Sequence, residues 1–432
     1  MAVLNFIINN ILTQAFITIG LIAFIGLLAQ KKSFGDIVSG TFKTMLGYLV
    51  LSAGSSIIVQ VLIYFGEIFT AGFGMQGIVP SIEAVNGQAM NELGLGNQIA
   101  LAFLGIFLVN IIIARLTKWK YIFLTGQAIL WMATMVIVFG ADVGLGVVPN
   151  IIIGSIIGGI FAVAMPAIAQ PIVRKITGSD DIALGHFCTI GYLFAALVSK
   201  ISGNKENSTE DIELPSSLSF LNDTYLSVGF VMILLFIITA IFAGPEVVAE
   251  RTGNLNYIVY AFTQGMQFVV GVYVLLAGVR LLLGEIVPAF RGIALKIVPD
   301  AKPALDCPVL FPYAPNAVTL GFVSTTIGTV IGMLFFPKIG LAMLLPGMLS
   351  NFFAGGTAGI FCNEVGGTRG TIIGGIAHGL FITLLPALLV MIFNSMGFIN
   401  ATATDVDTVA AALLYAWIIK PIIGFVGIWN VF

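Results

Sequence analysis

The side chains best suited to chemistry are a few ionisable groups set in otherwise apolar sequence. Asp306 lies in PALDCPVLFPYAPN, residues 303–316, where four prolines prevent a continuous helix. His186 lies in LGHFCTIGY, residues 184–192. A charged group inside a membrane costs roughly 3 kcal/mol on insertion scales, so each needs a partner, water or a function. We expect both to contact a polar ligand. Asp306 can also cap the following helix, and the alternative for His186 is a purely structural role.

Two further polar sites lie in predicted spans. Gln127 and Trp131 are four residues apart and share one face of a predicted helix, which suits either sugar binding or packing. The run SAGSS, residues 52–56, is expected to interrupt a span with small residues, which favours ligand contact and close helix packing equally.

The remaining candidates favour structural roles. His378, in the middle of an apolar span, is expected to pack with one interhelical hydrogen bond. Glu364 is expected to pair with Arg369, five residues on. The three cysteines stand alone in apolar sequence, which indicates small packing residues: Cys188, Cys307 and Cys362. We therefore predict no metal site and no cofactor. The chain carries no Walker A sequence for using ATP.

The composition shows what must position these residues. Of 432 residues, 59% are hydrophobic and 9% charged, with a mean hydropathy of +1.08. Too few charges exist to cover a water-soluble protein, so we predict an all-α polytopic membrane protein. A net charge of −2 excludes a nucleic-acid partner. Apolar runs predict about eleven spans, near 11–30, 42–65, 98–114, 121–140, 147–171, 225–245, 257–283, 317–336, 339–357, 371–395 and 408–431.

Charge in the connections predicts the orientation. Connections after the first, third and fifth spans are basic, whereas residues 66–97 hold only acidic charges. Basic connections stay in the cytoplasm, so the N-terminus is expected outside and the C-terminus in the cytoplasm. The apolar stretch 182–199 keeps this pattern only if it is re-entrant, and residues 200–223 form a polar cytoplasmic linker.

Short motifs repeat between the two halves at a spacing of about 219 residues. GEI at 66–68 recurs at 284–286, NQIALAF at 97–103 as NAVTLGF at 316–322, and SIIGGI at 155–160 as TIIGGI at 371–376. With the predicted orientation, the halves cross the membrane in opposite senses. We therefore predict inverted repeats over 1–199 and 224–432, separated by the linker 200–223, which is typical of transporters.

Five stretches in order resemble the ascorbate-type enzyme IIC, the membrane subunit of a bacterial phosphoenolpyruvate:sugar phosphotransferase system. They are SAGSS, LTGQ, LGHFCTIGYLFAALVSK, LDCPVLFPYAPNAVTLGF and FCNEVGGTRG. The resemblance implies a homodimer in the bacterial plasma membrane, with a V-shaped scaffold and a mobile core that moves the sugar like an elevator. It also implies phosphorylation of the sugar by a separate IIB protein, whose phosphocysteine is charged by IIA.

The same resemblance implies ligand positions. Those that match are Gly54, Ser55, His186 and Asp306. The ascorbate carriers have His in place of Gln127, Gln in place of Trp131 and Gln in place of Phe187, and Glu83 lies in a loop that differs near the sugar. These changes leave the ligand as L-ascorbate or another sugar or polyol. Glu83 and Asp306 together disfavour an anion unless a nearby group is protonated.

Two other functions fit the residues. One is a proton-coupled secondary sugar transporter that uses Asp306 and His186 as its proton path. The other is a membrane sensor or channel.

Overall fold

The computed structural model describes residues 15–74, 77–78, 80, 82–91, 93–212, 224–252, 255–347, 350–398 and 402–421. Both chain termini and residues 213–223 of the predicted linker lie outside these ranges. The described chain is mostly helical. Its helices are α1 (Ala15–Ala29), α2 (Phe34–Phe73), α3 (Ile82–Asn91), α4 (Gly96–Leu116), α5 (Gly126–Asp142), α6 (Val147–Thr177), α7 (Thr189–Ser202), α8 (Thr224–Ala243), α9 (Pro245–Thr252), α10 (Tyr257–Lys296), α11 (Pro315–Phe335), α12 (Gly356–Ser395) and α13 (Val406–Leu414).

A small parallel sheet corrects the expectation of an all-α fold. Its strands are β1 (Tyr121–Phe123), β2 (Ala183–Leu184) and β3 (Lys302–Leu305), in the order β1-β3-β2. Ala304 pairs with Phe123 on one side and with Ala183 on the other. Strands of two to four residues are too short to show a period in the sequence. The central strand comes from the second half of the chain and both outer strands from the first, so the sheet ties the halves together.

Helix α12 is a hairpin rather than one long rod. At Gly367 the backbone has φ 62° and ψ −160°, which breaks the helix. In a straight helix Cys362 and Gly374 would be about 18 Å apart. Instead, a Cβ added to Gly374 would lie 2.6 Å from the Cys362 sulfur, so the two arms lie side by side. The left-handed φ at the tip favours glycine.

Two groups of helices are distinguished by their packing. In one group, α1, α2, α8 and α10 pack on one another. In the other, α4 packs with α5 and α6, and the α12 hairpin packs with α7 and α11. Two short helices each pack on a helix from the other half of the chain. Helix α7, from the first half, packs on α12, and α13, from the second half, packs on α5.

Among the described residues, five helices are long and apolar enough to cross a membrane. They are Gly96–Leu116, Val147–Thr177, Tyr257–Val274, Pro315–Ile339 and the hairpin region Asn351–Ser395. The structure thus has several membrane-length helices but does not establish the predicted number of eleven. Helix α7 has 14 residues and is about 21 Å long, shorter than a hydrocarbon core of about 30 Å.

The expected interruption at SAGSS is wrong. Helix α2 runs without a break from Phe34 to Phe73, through residues 52–56. Serine and glycine cost a helix at most about 1 kcal/mol each, less than is needed to break a long helix that packs on α10 along its side.

Candidate functional site

Three of the polar residues singled out in the sequence lie just beyond the ends of the three strands. Gln127 lies four residues after β1, His186 two residues after β2, and Asp306 directly after β3. Because the strands are parallel, their carboxyl ends lie at the same edge of the sheet. Open parallel sheets characteristically bind ligands beyond this edge. The sheet therefore places residues from distant parts of the sequence around one position.

His186 and Asp306 form the centre of this position. The Nδ1 atom of His186 lies 2.9 Å from Oδ1 of Asp306. The same Oδ1 accepts a hydrogen bond of 2.8 Å from the backbone N–H of Cys307, so Asp306 also caps the short 3-10 turn Cys307–Val309. The His186 side chain is 9% exposed and that of Asp306 38%. Because the carboxylate is half-exposed, it can also accept hydrogen bonds from a ligand.

Two acidic residues that the sequence analysis did not single out complete the surroundings of His186. The Nε2 atom of His186 lies 3.6 Å from Oδ1 of Asp405. The carboxylate of Asp407 accepts hydrogen bonds of 2.9 Å from the backbone N–H groups of both Thr189 and Ile190. Asp407 thus caps the start of α7 from the other half of the chain. The sequence signal was TDVDT, two acids just before the last apolar run.

Three more predicted residues lie on two helices that pack on each other, α3 and α5. Gln127 and Trp131 lie on successive turns at the start of α5, and both are partly buried. Glu83 lies on α3, whose Asn86 accepts a hydrogen bond of 2.8 Å from Thr134 of α5. The side chain of Glu83 lies outside the described structure. Its helix packs on the helix that carries Gln127.

Aromatic packing supports His186 and the neighbouring strand end. Phe187 is fully buried and stacks on Phe123 of β1, with ring centroids 4.4 Å apart. In this arrangement its ring supports the end of the strand. Tyr192 stacks between His186 and His378, with centroids 6.2 and 5.9 Å away. Tyr192 therefore lies between the two imidazole rings.

Gly54 and Ser55 lie in a different group of helices. Gly54 is buried in α2, and the side chain of Ser55 lies outside the described structure. The main packing partners of α2 are α1, α8 and α10. The structure therefore brings together His186 and Asp306 but places Gly54 and Ser55 on the neighbouring group.

A polar cluster pins the other end of β2 to β3. Asp180 pairs with Lys302 at the start of β3 and with Arg174, 3.2 Å away. Its carboxylate also accepts a hydrogen bond of 2.9 Å from Nε2 of Gln170. Partial burial raises the pKa of Asp180, but the bonds from Lys302 and Gln170 and the two positive charges outweigh it, so the pKa is lowered. The cluster fixes the segment that leads to His186.

Residues 203–212, here called the strap, hold the hairpin tip and α11. Lys205 pairs with Glu364 at 2.9 Å, so the predicted pairing of Glu364 with Arg369 is wrong. The break at Gly367 separates those two residues. The carboxylate of Glu210 accepts from the N–H groups of Asn316 and Ala317, 3.2 and 2.9 Å away, and so caps α11.

The remaining candidates have packing contacts. Nδ1 of His378 lies 3.3 Å from the Thr325 hydroxyl, an interhelical contact between α12 and α11. The three cysteines are buried with free thiols: Cys188, Cys307 and Cys362. The site thus presents a carboxylate, an imidazole and an amide beside aromatic rings, which suits the binding of hydroxyl groups rather than covalent chemistry.

Comparison with known proteins gives two matches. The family model of the sugar-specific permease component of the PTS, the phosphotransferase system, matches residues 10–407. The "Ascorbate-specific PTS system EIIC component" of Mycoplasma pneumoniae is 26% identical over 426 residues, covering 85% of this chain. The chain spans 63% of the length of that relative.

Proposed function

This chain belongs to the family of sugar-specific permease components of the PTS, and we propose that it carries L-ascorbate or a related sugar or polyol into the cell. The family role is that of the membrane permease, while phosphoryl transfer falls to other components of the system. With several helices long enough to cross a bilayer, it is a multi-pass membrane protein. The substrate is our inference from the site and from the relative's name.

The observation that carries the proposal is the contact between His186 and Asp306 beyond the sheet. A half-exposed carboxylate can accept bonds from two hydroxyls, and charge-assisted bonds contribute about 1.5–3 kcal/mol each. Gln127 adds an amide and Trp131 an aromatic face, a usual combination for a sugar. Because the residues expected of an ascorbate carrier are changed at 127, 131 and 187, a neutral sugar or polyol is the main competitor for the site.

The packing supports an elevator movement in which one helix group moves against the other. The proposed scaffold is α1, α2, α8 and α10, which we expect to form the homodimer. The proposed mobile core contains the sheet, α5, α7, α11 and the α12 hairpin. Gly54 and Ser55 would then contact the sugar from the scaffold side.

The proposed inverted repeat is supported by helix positions. Helices α4 and α11 both have 21 residues and begin at Gly96 and Pro315. The crossing helices α7 and α13 occupy equivalent places in the two halves and meet where Asp407 caps α7. We propose that the segment 182–199, which contains α7, is re-entrant, that the N-terminus is outside and the C-terminus in the cytoplasm, and that the strap faces the cytoplasm, where the phosphocysteine of IIB would phosphorylate the sugar.

A binding screen with the purified chain tests the substrate. Isothermal titration with L-ascorbate, pentoses, hexoses and polyols should give a single saturable ligand class, and Asp306→Asn should weaken it at least tenfold. Uptake in cells should then require phosphoenolpyruvate and the cognate IIB and IIA. Binding of none of these ligands by folded protein would contradict the proposal.

A proton-coupled carrier is the second candidate, because His186 lies between the carboxylates of Asp306 and Asp405. Such a row of ionisable groups is typical of proton paths in transporters. Under this alternative, an uncoupler abolishes uptake and removal of phosphoenolpyruvate does not. Our proposal predicts the reverse.

A further inference from the structure

The side chains near the Nε2 atom of His186 form a second cluster, distinct from the contact of Nδ1 with Asp306. It contains the imidazole of His186, the thiol of Cys188 and the carboxylate of Asp405, which each offer one ligand atom, and these atoms lie within 4.8 Å of one another. All three residues are buried. We propose that this cluster is a binding site for a divalent metal ion with borderline-soft preference, of which Zn²⁺ is the natural example.

The donor types match such an ion. Zn²⁺ binds thiolate, imidazole and carboxylate together, usually as a tetrahedron. With Cys188 as thiolate, Asp405 ionised and His186 neutral, the charges of ion and ligands cancel. A neutral complex suits a buried position, because an unbalanced charge there is expensive.

The distances between the donors also match. With ordinary zinc bond lengths, two ligands of a tetrahedral ion are about 3.3–3.6 Å apart. The Asp405 oxygen lies 3.6 Å from His186 Nε2 and 3.5 Å from the Cys188 sulfur. The carbonyl oxygen of Thr404 lies 4.0 Å from the same sulfur and offers a fourth donor after a small movement.

The geometry distinguishes this cluster from its neighbour. His186, Asp306 and Cys307 also lie within 4.8 Å of one another. However, Asp306 is only 2.9 Å from His186 Nδ1, too close for two ligands of one ion and right for a hydrogen bond. Asp306 instead takes the place of the carboxylate that accepts from the second nitrogen of a metal-bound histidine, an arrangement that orients the ring.

The proposed ion would link the two halves of the chain. Cys188 and His186 lie just before α7, in the first half, and Asp405 lies just before α13, in the second half. A metal on Nε2 requires the ring proton to sit on Nδ1, where it donates to Asp306. Binding releases the Cys188 thiol proton to solvent. The ion would thereby fix both the ring position and the tautomer at the sugar site.

Cobalt spectroscopy on the purified full chain tests this without any sugar, so the outcome is independent of the proposed transport function. After chelator treatment and dialysis, Co²⁺ should bind at one ion per chain. A thiolate-to-cobalt charge-transfer band should appear in the near ultraviolet, with the visible bands of a tetrahedral ion. Zn²⁺ should displace Co²⁺ and raise the melting temperature.

Variants assign the ligands. Cys188→Ser should lose the charge-transfer band, and Asp405→Asn should bind Co²⁺ at least tenfold more weakly. The matched controls are Cys307→Ser, on the other side of the imidazole, and Cys362→Ser, in the α12 hairpin; both should keep the band. Size-exclusion profiles establish that each variant is folded, and the wild-type spectrum is decisive if Cys188→Ser does not fold. No band in the wild type, a band that survives in Cys188→Ser, or loss in Cys307→Ser would overturn the proposal.

Discussion

His186–Asp306 and Lys205–Glu364 are both polar contacts between distant parts of the chain, each 2.9 Å long, but their surroundings differ. The His186 side chain is buried against Tyr192, whereas the Asp306 side chain, which contacts it, is half-exposed. Lys205 is 62% exposed, on the strap. Exposed pairs contribute about 0–1 kcal/mol, whereas a charge in a low-dielectric site interacts strongly with any ligand that reaches it. The first contact therefore suits ligand recognition, and the second suits holding the strap in place.

Asp306→Asn should produce the largest effect. The change keeps the shape of the side chain and removes its charge, so the ligand loses charge-assisted hydrogen bonds. We expect affinity to fall at least tenfold, measured by isothermal titration, while expression and dimerisation persist. Wild-type affinity in this variant would leave Asp306 with its capping role alone.

His186→Ala should weaken binding by a similar order. The variant leaves Asp306 without the partner that orients its carboxylate and leaves Asp405 facing a void. Affinity and thermal stability should both fall, as measured by titration and by unfolding scans. Tyr192→Phe is the matched control: it keeps the ring that stacks on His186 and removes only the hydroxyl beside Cys307, so affinity should stay near that of the wild type. An equal loss in both variants would contradict a specific role of the His186 imidazole in binding.

Asp180→Asn should change stability modestly, by about 1 kcal/mol or less, because the cluster is partly exposed. The pKa of Asp180 is lowered in the folded chain, so its stabilisation is present above the ordinary value of 3.8 and is lost as pH falls through the folded pKa. The difference in melting temperature from the wild type should therefore be full at pH 7 and shrink below pH 3.8. A difference that grows on acidification would contradict this assignment.

Glu364→Gln should have the smallest effect. It removes the charge that pairs with Lys205 at the exposed strap and leaves the sugar site intact. Affinity should stay within a factor of two of the wild type in the same titration. A tenfold loss would show that the strap and the site are coupled, and it would remove the distinction between the two contacts.

The sequence predicted the parts of the fold that have long, regular signals. Apolar runs located the main helices, and the resemblance to the enzyme IIC family is confirmed by the family match over residues 10–407. Asp306 and His186 were recognisable as ionisable groups beside helix breakers in an apolar setting. The proximity of the two was expected, but the contact between them depends on a sheet that the sequence did not reveal.

The sheet and several side-chain contacts could not be predicted from the sequence, because they join residues that are far apart in the chain. Strands β1, β2 and β3 are too short to show periodicity, and each pairs with a strand from the other half. Asp405 and Asp407 resemble ordinary helix-capping residues until α13 is placed beside α7. In sequence, the nearest basic partner for Glu364 is Arg369. The break at Gly367 and the position of the strap cause Glu364 to pair with Lys205 instead.

An experimentally determined structure of the purified chain with its sugar bound tests the role of Asp306 and His186 most directly. We expect a sugar hydroxyl within about 2.5–3.2 Å of the Asp306 carboxylate, beside His186 and beyond the carboxyl ends of the three strands. A sugar bound elsewhere, with neither Asp306 nor His186 in contact, would contradict it.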